Sequence, residues 1–387
     1  MDFELTEEQQ DIRSAIKEFC QKELTKEYVR WLDENCDFPP EDIWKKLANI
    51  GVHGLIVPEE YGGAGLGYIE TVIVLEELSK ACSSISVALA VNLSFGQRTL
   101  TELGNENQKK EYLPHVRSGD LKWAMALTEP AGGTDILGTI SSTAVEDGGD
   151  YIINGQKTFI SAAHVANYIN TVVITDEKAS KKSKALSTFI VDARNPGITI
   201  TKIPKLGNHA CAACEVFFDD VRVPKENLLG TLNNGWYELL STLNPERISV
   251  AANAVGISMA VLEDAVAYAK RRYAFGKPIG EFMAVQHMIA DMAIEIELAR
   301  TLTYKCAWLV ENDKPYAIES VIAKQFASDR AVIHAINGME ILGGYGYCME
   351  YDMQRYLRDA KQFPFAPLNN ESCKNMIAEA CGLPRSF

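Results

Sequence analysis

The sequence predicts an α+β chain, mostly α: a helical N-terminal domain, a central β domain, and a C-terminal helical domain forming a four-helix bundle. Three observations carry this. Apolar residues recur at helical spacing in the first third, as at Ile12, Ile16 and Phe19. From about Trp123, short alternating or apolar runs take over, punctuated by Gly, Asn, Asp and Pro. From Gly235 onward, long helical patterns return and persist. Helices, then strands, then helices is an order of successive domains and not a βαβ alternation. The boundaries read as 1–120, 121–232 and 233–387, and 387 residues suffice for two or three domains with real cores.

In the first domain, Thr6 and Gln9 fit a capping box. A helical run covers 71–80, after a glycine-rich loop between Val57 and Tyr68. The second domain reads WAMAL, TISSTAVE, YIINGQKTFI, YINTVVIT, STFIVD, ITITKI and CEVFFDDVRV. Asp147-Gly148-Gly149 predicts a hairpin turn, and Asn154-Gly155 predicts a second turn. The lysine-rich stretch 178–184 reads as an exposed hairpin loop. In the third domain, helices are predicted over 256–272, 282–312 and 318–342.

The net charge of -14 argues against a nucleic-acid binder, which needs a basic face. No run approaches the roughly 18 apolar residues of a membrane helix. The start MDFELTEEQQ lacks the basic and apolar regions of a secretory signal, so a cytoplasmic protein is expected. Nine scattered cysteines read as reduced thiols. Cys211 and Cys214, with His209 nearby, lack a fourth ligand at suitable spacing, so no metal is expected.

Four segments could carry chemistry. In ALTEPAGGTD (126–135) a strand enters a Gly-rich turn bearing Thr128 and Thr134, whose hydroxyls and amides could meet an oxyanion or a flavin edge. NGQKTFIS (154–161) ends a strand on Phe159 and Ser161. In RRYAFGKPIG (271–280) two arginines close a helix, and Arg272 could hold a pyrophosphate. LGGYGY (342–347) fits a helix end that something large approaches. Each segment alone also reads as an ordinary turn, hairpin or helix cap.

Together with LTEEQ near the start, VPEEYGG, VFFDDVRVPKENLLG and LRDAK, these segments resemble the acyl-CoA dehydrogenase family over nearly the whole chain. The resemblance implies that family's fold, FAD as cofactor, an acyl-CoA substrate, a homotetramer, and an electron-transfer flavoprotein as partner. It implies that the flavin ring lies against Leu127, Thr128, Phe159, Ile160 and Ser161, with Thr134 between flavin and CoA. Arg272 and Phe275 match the pair that holds FAD across a subunit interface, and Gly343 and Gly344 match the glycines near the same nucleotide. Asn244 and Arg247 match helix positions that contact CoA. The family's chemistry removes an α-proton by a carboxylate and a β-hydride by the flavin, in either direction.

Relatives commonly carry the base after RDAK, in I-Y-E-G-T. Here QFPFAPLNNES follows Lys361, and the glutamate's position is Pro367. Proline is no base, and it lacks the N–H that in the family donates to the thioester carbonyl. Other members place the glutamate on the helix just before the CoA-contacting arginine. LNPER puts Glu246 there, making it the candidate base. The competing reading is an exposed glutamate in a helix's first turn after Pro245. Glu371 is the alternative base if a gap shifts the C-terminal segment. The helix-borne glutamate is most like crotonobetainyl-CoA reductase-type bacterial members. Glu340 and Met283 replace glutamines that meet the nucleotide in relatives. With Pro367 they suggest the alternative of an impaired or complementary subunit paired with a paralogue.

Overall fold

In a computed structural model, which describes residues 4–385, the chain folds in the expected order. The first domain packs α1 (Glu7–Glu23), α2 (Lys26–Asn35), α3 (Glu41–Asn49), α4 (Tyr68–Ala81), α5 (Ser83–Val91), α6 (Thr99–Leu103) and α7 (Glu106–Arg117). The Thr6–Gln9 capping box is formed, with Gln9 N donating to Thr6 Oγ1 at 3.2 Å. Between α5 and α6 the chain widens to a π-helix over Asn92–Arg98, a form that concentrates at functional sites. Asn170 Nδ2 donates to the Phe95 carbonyl at 2.7 Å, and Trp123 N donates to Asn92 Oδ1 at 3.1 Å. The widened turn is thereby fastened to the neighbouring sheet.

That sheet has β1 (Trp123–Ala126), β2 (Thr143–Asp147), β3 (Asp150–Ser161), β4 (Tyr168–Ile174), β5 (Leu186–Asp192), β6 (Ile198–Ile203), β7 (Ala213–Pro224) and β8 (Leu228–Leu229), with the short α8 (Ile136–Thr139) after β1. Strand order is β6-β7-β3-β2-β4-β5-β8, with β1 parallel to β4. The Asp147–Asp150 turn is present, with both central glycines at positive φ. The second predicted turn is not. Asn154 and Gly155 lie inside one continuous β3, where a register shift absorbs Gly155 at φ 147°. An Asn-Gly pair serves a bulge as readily as a turn, because both need the φ that glycine allows.

The third domain holds α9 (Gly235–Arg271), a two-stranded ribbon β9 (Tyr273–Ala274) and β10 (Lys277–Pro278), α10 (Met283–Glu311), α11 (Ala317–Leu342), α12 (Met353–Ala360) and α13 (Asn370–Ala380). Helix α9 begins far earlier than its apolar stretch suggested. By length and composition alone it could cross a membrane, contrary to the reading that no run came close, but most of its apolar stretch is buried inside the fold. It crosses α4 at Gly256, where any Cβ would fall 2.4 Å from the Glu76 carbonyl. Glu76 is itself buried and takes two 3.0 Å hydrogen bonds from Arg300 Nε, which joins α4 to α10.

Candidate active site

The loop leaving β1 is fixed by a buried ion pair. Glu129 accepts from Lys157 Nζ at 2.8 Å, Ser141 N at 2.8 Å, Ser141 Oγ at 2.6 Å and Ser142 N at 3.0 Å. Lys157 donates also to the Leu127 carbonyl at 3.2 Å. Burial alone would raise the Glu129 carboxyl, but the Lys157 charge and these hydrogen bonds win and hold it at about 2. Thr158 N donates to the Thr128 carbonyl at 2.9 Å, so Leu127 and Thr128 run beside the end of β3. A second register shift in β3, between Lys157 and Ile160, turns Phe159 outward at φ 57° with 66% of its surface exposed. An outward aromatic at positive φ is strained, and it forms a platform beside the half-buried Thr128 and Ser161. Ile160 points into the sheet core, so only its backbone can face a ligand. Beyond Pro130 the chain reaches the exposed Thr134. Asp135 then caps α8 by accepting from Gly138 N at 2.9 Å.

Helix α9 packs on the β1 edge. Leu239 and Leu243 join Met125 and Leu127 of the β1 edge, with Val91 and Phe95, in one apolar cluster. One turn on come Asn244, Pro245, Glu246 and Arg247. Pro245 does not open this helix, as sequence suggested, but sits deep within it. Lacking an N–H, it leaves the Ser241 carbonyl without its helical donor and weakens the helix just ahead of Glu246. Glu246 keeps some exposed surface as a residue, yet its Oε2 is buried with no hydrogen-bond partner. Burial pushes its carboxyl up from 4.5 to about 8, and the Arg247 charge offsets only part of this. Arg247 is buried too, its Nη1 likewise without a partner. Its guanidinium is lowered by burial, against the raising influence of Cys373, Glu246 and Tyr316.

Buried groups fix the path of the segment after α12. Asn208, at φ 50°, donates its N–H to Asp359 Oδ1 at 2.6 Å and its Nδ2 to the Asp359 carbonyl and Gln362 Oε1 at 3.1 Å each. Lys324, fully buried on α11, donates to the carbonyls of Pro364 at 3.3 Å and Leu368 at 2.5 Å and to Asn370 Oδ1 at 2.7 Å. Between those anchors lies Pro367, with neither an acid nor an N–H to offer. Glu371 is exposed in the first turn of α13. Asn369 caps α13 and donates to Thr134 Oγ1 at 2.6 Å, so the start of α13 is tied to the loop after β1.

The other expected residues stand elsewhere. Arg272 lies about 39 Å beyond Glu246 along α9, taking about 1.5 Å per residue. Phe275 follows on the ribbon turn at φ 51° with 96% of its surface exposed. Gly343 ends α11 at φ 60°, and a Cβ on either Gly343 or Gly344 would meet nothing within 4 Å. Met283 and Glu340 are exposed. Cys211 and Cys214 are buried free thiols, and among the described residues no three His, Cys, Asp or Glu side chains cluster as a metal site.

Sequence reasoning missed Glu129, Lys157, Lys324 and Asn369. Lys157 was findable as a charged residue inside an apolar strand, and Asn369 as an Asn three residues before Ser372.

A sheet domain stands between two helical ones, and α9, which packs on the β1 edge through Leu239 and Leu243, carries the buried carboxyl oxygen of Glu246. The chain belongs to the acyl-CoA dehydrogenase family: the family's N-terminal domain matches residues 6–120, its middle domain 124–221 and its C-terminal domain 233–382. It is 40% identical over 381 residues to the probable acyl-CoA dehydrogenase YngJ of Bacillus subtilis, covering 98% of this chain and 99% of that one. It is 37% identical to the caffeyl-CoA reductase–Etf complex subunit CarC of Acetobacterium woodii, over 92% and 94% of the two chains. The butyryl-CoA dehydrogenase of Megasphaera elsdenii superposes with a TM-score of 0.94 at 34% identity, over 99% of this chain and 100% of the other. Members of the family are FAD-dependent oxidoreductases acting on the CH–CH group of acyl-CoA.

Proposed function

We propose that this protein interconverts an acyl-CoA and its α,β-enoyl-CoA with FAD, using Glu246 as the base, on a short or medium acyl group, branched and polar ones included. The observation that carries this is the buried, unpartnered Oε2 of Glu246 on α9, just beyond Leu239 and Leu243, which pack against Met125 and Leu127. Bound FAD supplies the hydride acceptor. It would rest on Leu127, Thr128, Phe159, the Ile160 backbone and Ser161, with Thr134 toward the substrate.

Glu246 takes the α-proton on its carboxylate. Its poise near neutral pH suits that task, because a strong acid's conjugate base pulls too weakly and a weak acid's is seldom free. The apolar cluster at the cleft excludes water, and Asn244 and Arg247 face the CoA limb. In the reverse direction the same carboxyl returns the proton. The impaired-subunit alternative is not favoured, because base candidate and flavin-facing strands are both in place.

Arg272, Phe275, Gly343 and Gly344 would hold the nucleotide half of FAD. Because Arg272 is so far from Glu246 along α9, these residues suit the cofactor of a second copy, which favours a homotetramer. The likeness to an Etf complex subunit favours an electron-transfer flavoprotein as partner. The base on the helix before Arg247 favours the crotonobetainyl-CoA reductase-type branch, and a cytoplasmic setting is part of the same proposal. Domain limits at 120 and 232 are part of the same proposal.

The pH profile tests the base. For dehydrogenation, kcat/KM is expected to rise about tenfold per pH unit below pH 8 and level off above it. A profile flat from pH 6 to pH 9 would assign the base elsewhere.

A further inference from the structure

We infer that the side-chain amide of Asn369 donates the hydrogen bond that stabilises the thioester oxygen, a role open in this chain because Pro367 has no N–H. The inference rests on the acyl-CoA reading above. Removing an α-proton places enolate-like charge on the thioester oxygen, and a fixed donor aimed at that oxygen lowers the barrier. The breaking C–H bond must stand perpendicular to the carbonyl plane, while the oxygen's lone pairs lie in that plane. Base and donor therefore approach from different directions, which a donor on an element other than α9 satisfies.

Asn369 meets this requirement. Its Oδ1 is committed, accepting from Ser372 N at 2.7 Å as the cap of α13. That bond fixes which end of the amide is which and leaves Nδ2 to donate to Thr134 Oγ1 at 2.6 Å. The Thr134 hydroxyl is an exchangeable acceptor, and a thioester oxygen entering beside it can take its place. The positive end of α13, a helix of 11 residues, begins at the same point and reinforces the donor. Lys324 keeps the donor in position by holding the Leu368 carbonyl and Asn370 Oδ1 on either side of Asn369. No other backbone N–H is needed at Pro367.

Asn369→Asp separates the two jobs, because a carboxylate still caps α13 but cannot donate. The probe is acetoacetyl-CoA, whose bound enolate absorbs in the near ultraviolet, titrated into the flavin-loaded protein. The control is S-butyl-CoA, a thioether that lacks the thioester carbonyl. Both Asn369→Asp and Asn369→Ala are expected to weaken enolate binding roughly 10- to 100-fold and to leave S-butyl-CoA binding unchanged. Adding Pro367→Ala, which restores an N–H, is expected to recover part of the loss. Enolate binding by Asn369→Asp equal to the wild type overturns the inference, as does equal weakening of both ligands. A wild-type protein that binds neither ligand overturns the acyl-CoA reading itself and this inference with it.

Discussion

Glu246→Gln is expected to lower turnover of an acyl-CoA by about 10²–10⁴-fold, the range for loss of a positioned base, while the flavin stays bound. The glutamine keeps the shape of the protonated acid, so binding and fold survive and only proton transfer is lost. The same substitution has a second signature in stability. Glu246 is raised in the folded protein, from 4.5 to about 8. Its protonated form is therefore favoured by folding, and that contribution is complete below pH 4.5 and lost as pH rises through 8. A rise of that size corresponds to about 4–5 kcal/mol. Glu246→Gln should match the wild type in chemical denaturation near pH 4 and exceed it by several kcal/mol at pH 9. A wild type that is the more stable partner at pH 9 would mean that the carboxylate is well solvated or paired.

Lys157→Met is the other large effect. It removes one member of a fully buried ion pair and leaves Glu129 with an uncompensated charge, which costs about 3–5 kcal/mol. The loss should fall on the loop leaving β1, because Lys157 also holds the Leu127 carbonyl and Glu129 holds Ser141 and Ser142. Denaturant titration and flavin retention after gel filtration measure both parts. Stability lowered by less than about 1 kcal/mol, with flavin retained, would show that the pair is not what shapes this loop.

The domain order was legible because the period of the apolar pattern changes twice, near Trp123 and near Gly235. Glu246 was singled out by the family resemblance, through its place before Arg247. Its environment was not legible. Pro245 read as a helix opener because proline is welcome in a first turn, yet the helix already runs from Gly235 and tolerates it inside. Asn154-Gly155 read as a turn because the φ it allows also serves a bulge. The pairs Lys157–Glu129 and Asn369–Thr134 join residues 28 and 235 positions apart, which no local pattern reports. The outward turn of Phe159 depends on a register shift against β7 that only pairing reveals.

The central claim is that this chain carries FAD and moves hydrogen between it and an acyl-CoA through Glu246. Anaerobic titration of the purified yellow protein with acyl-CoAs of increasing length, butyryl-CoA first, followed by flavin absorbance, tests it most directly. Bleaching by at least one acyl-CoA, slowed at least about 100-fold in Glu246→Gln, is the expected result. A colourless protein, a flavin that no acyl-CoA bleaches, or bleaching at the wild-type rate in Glu246→Gln would contradict the account.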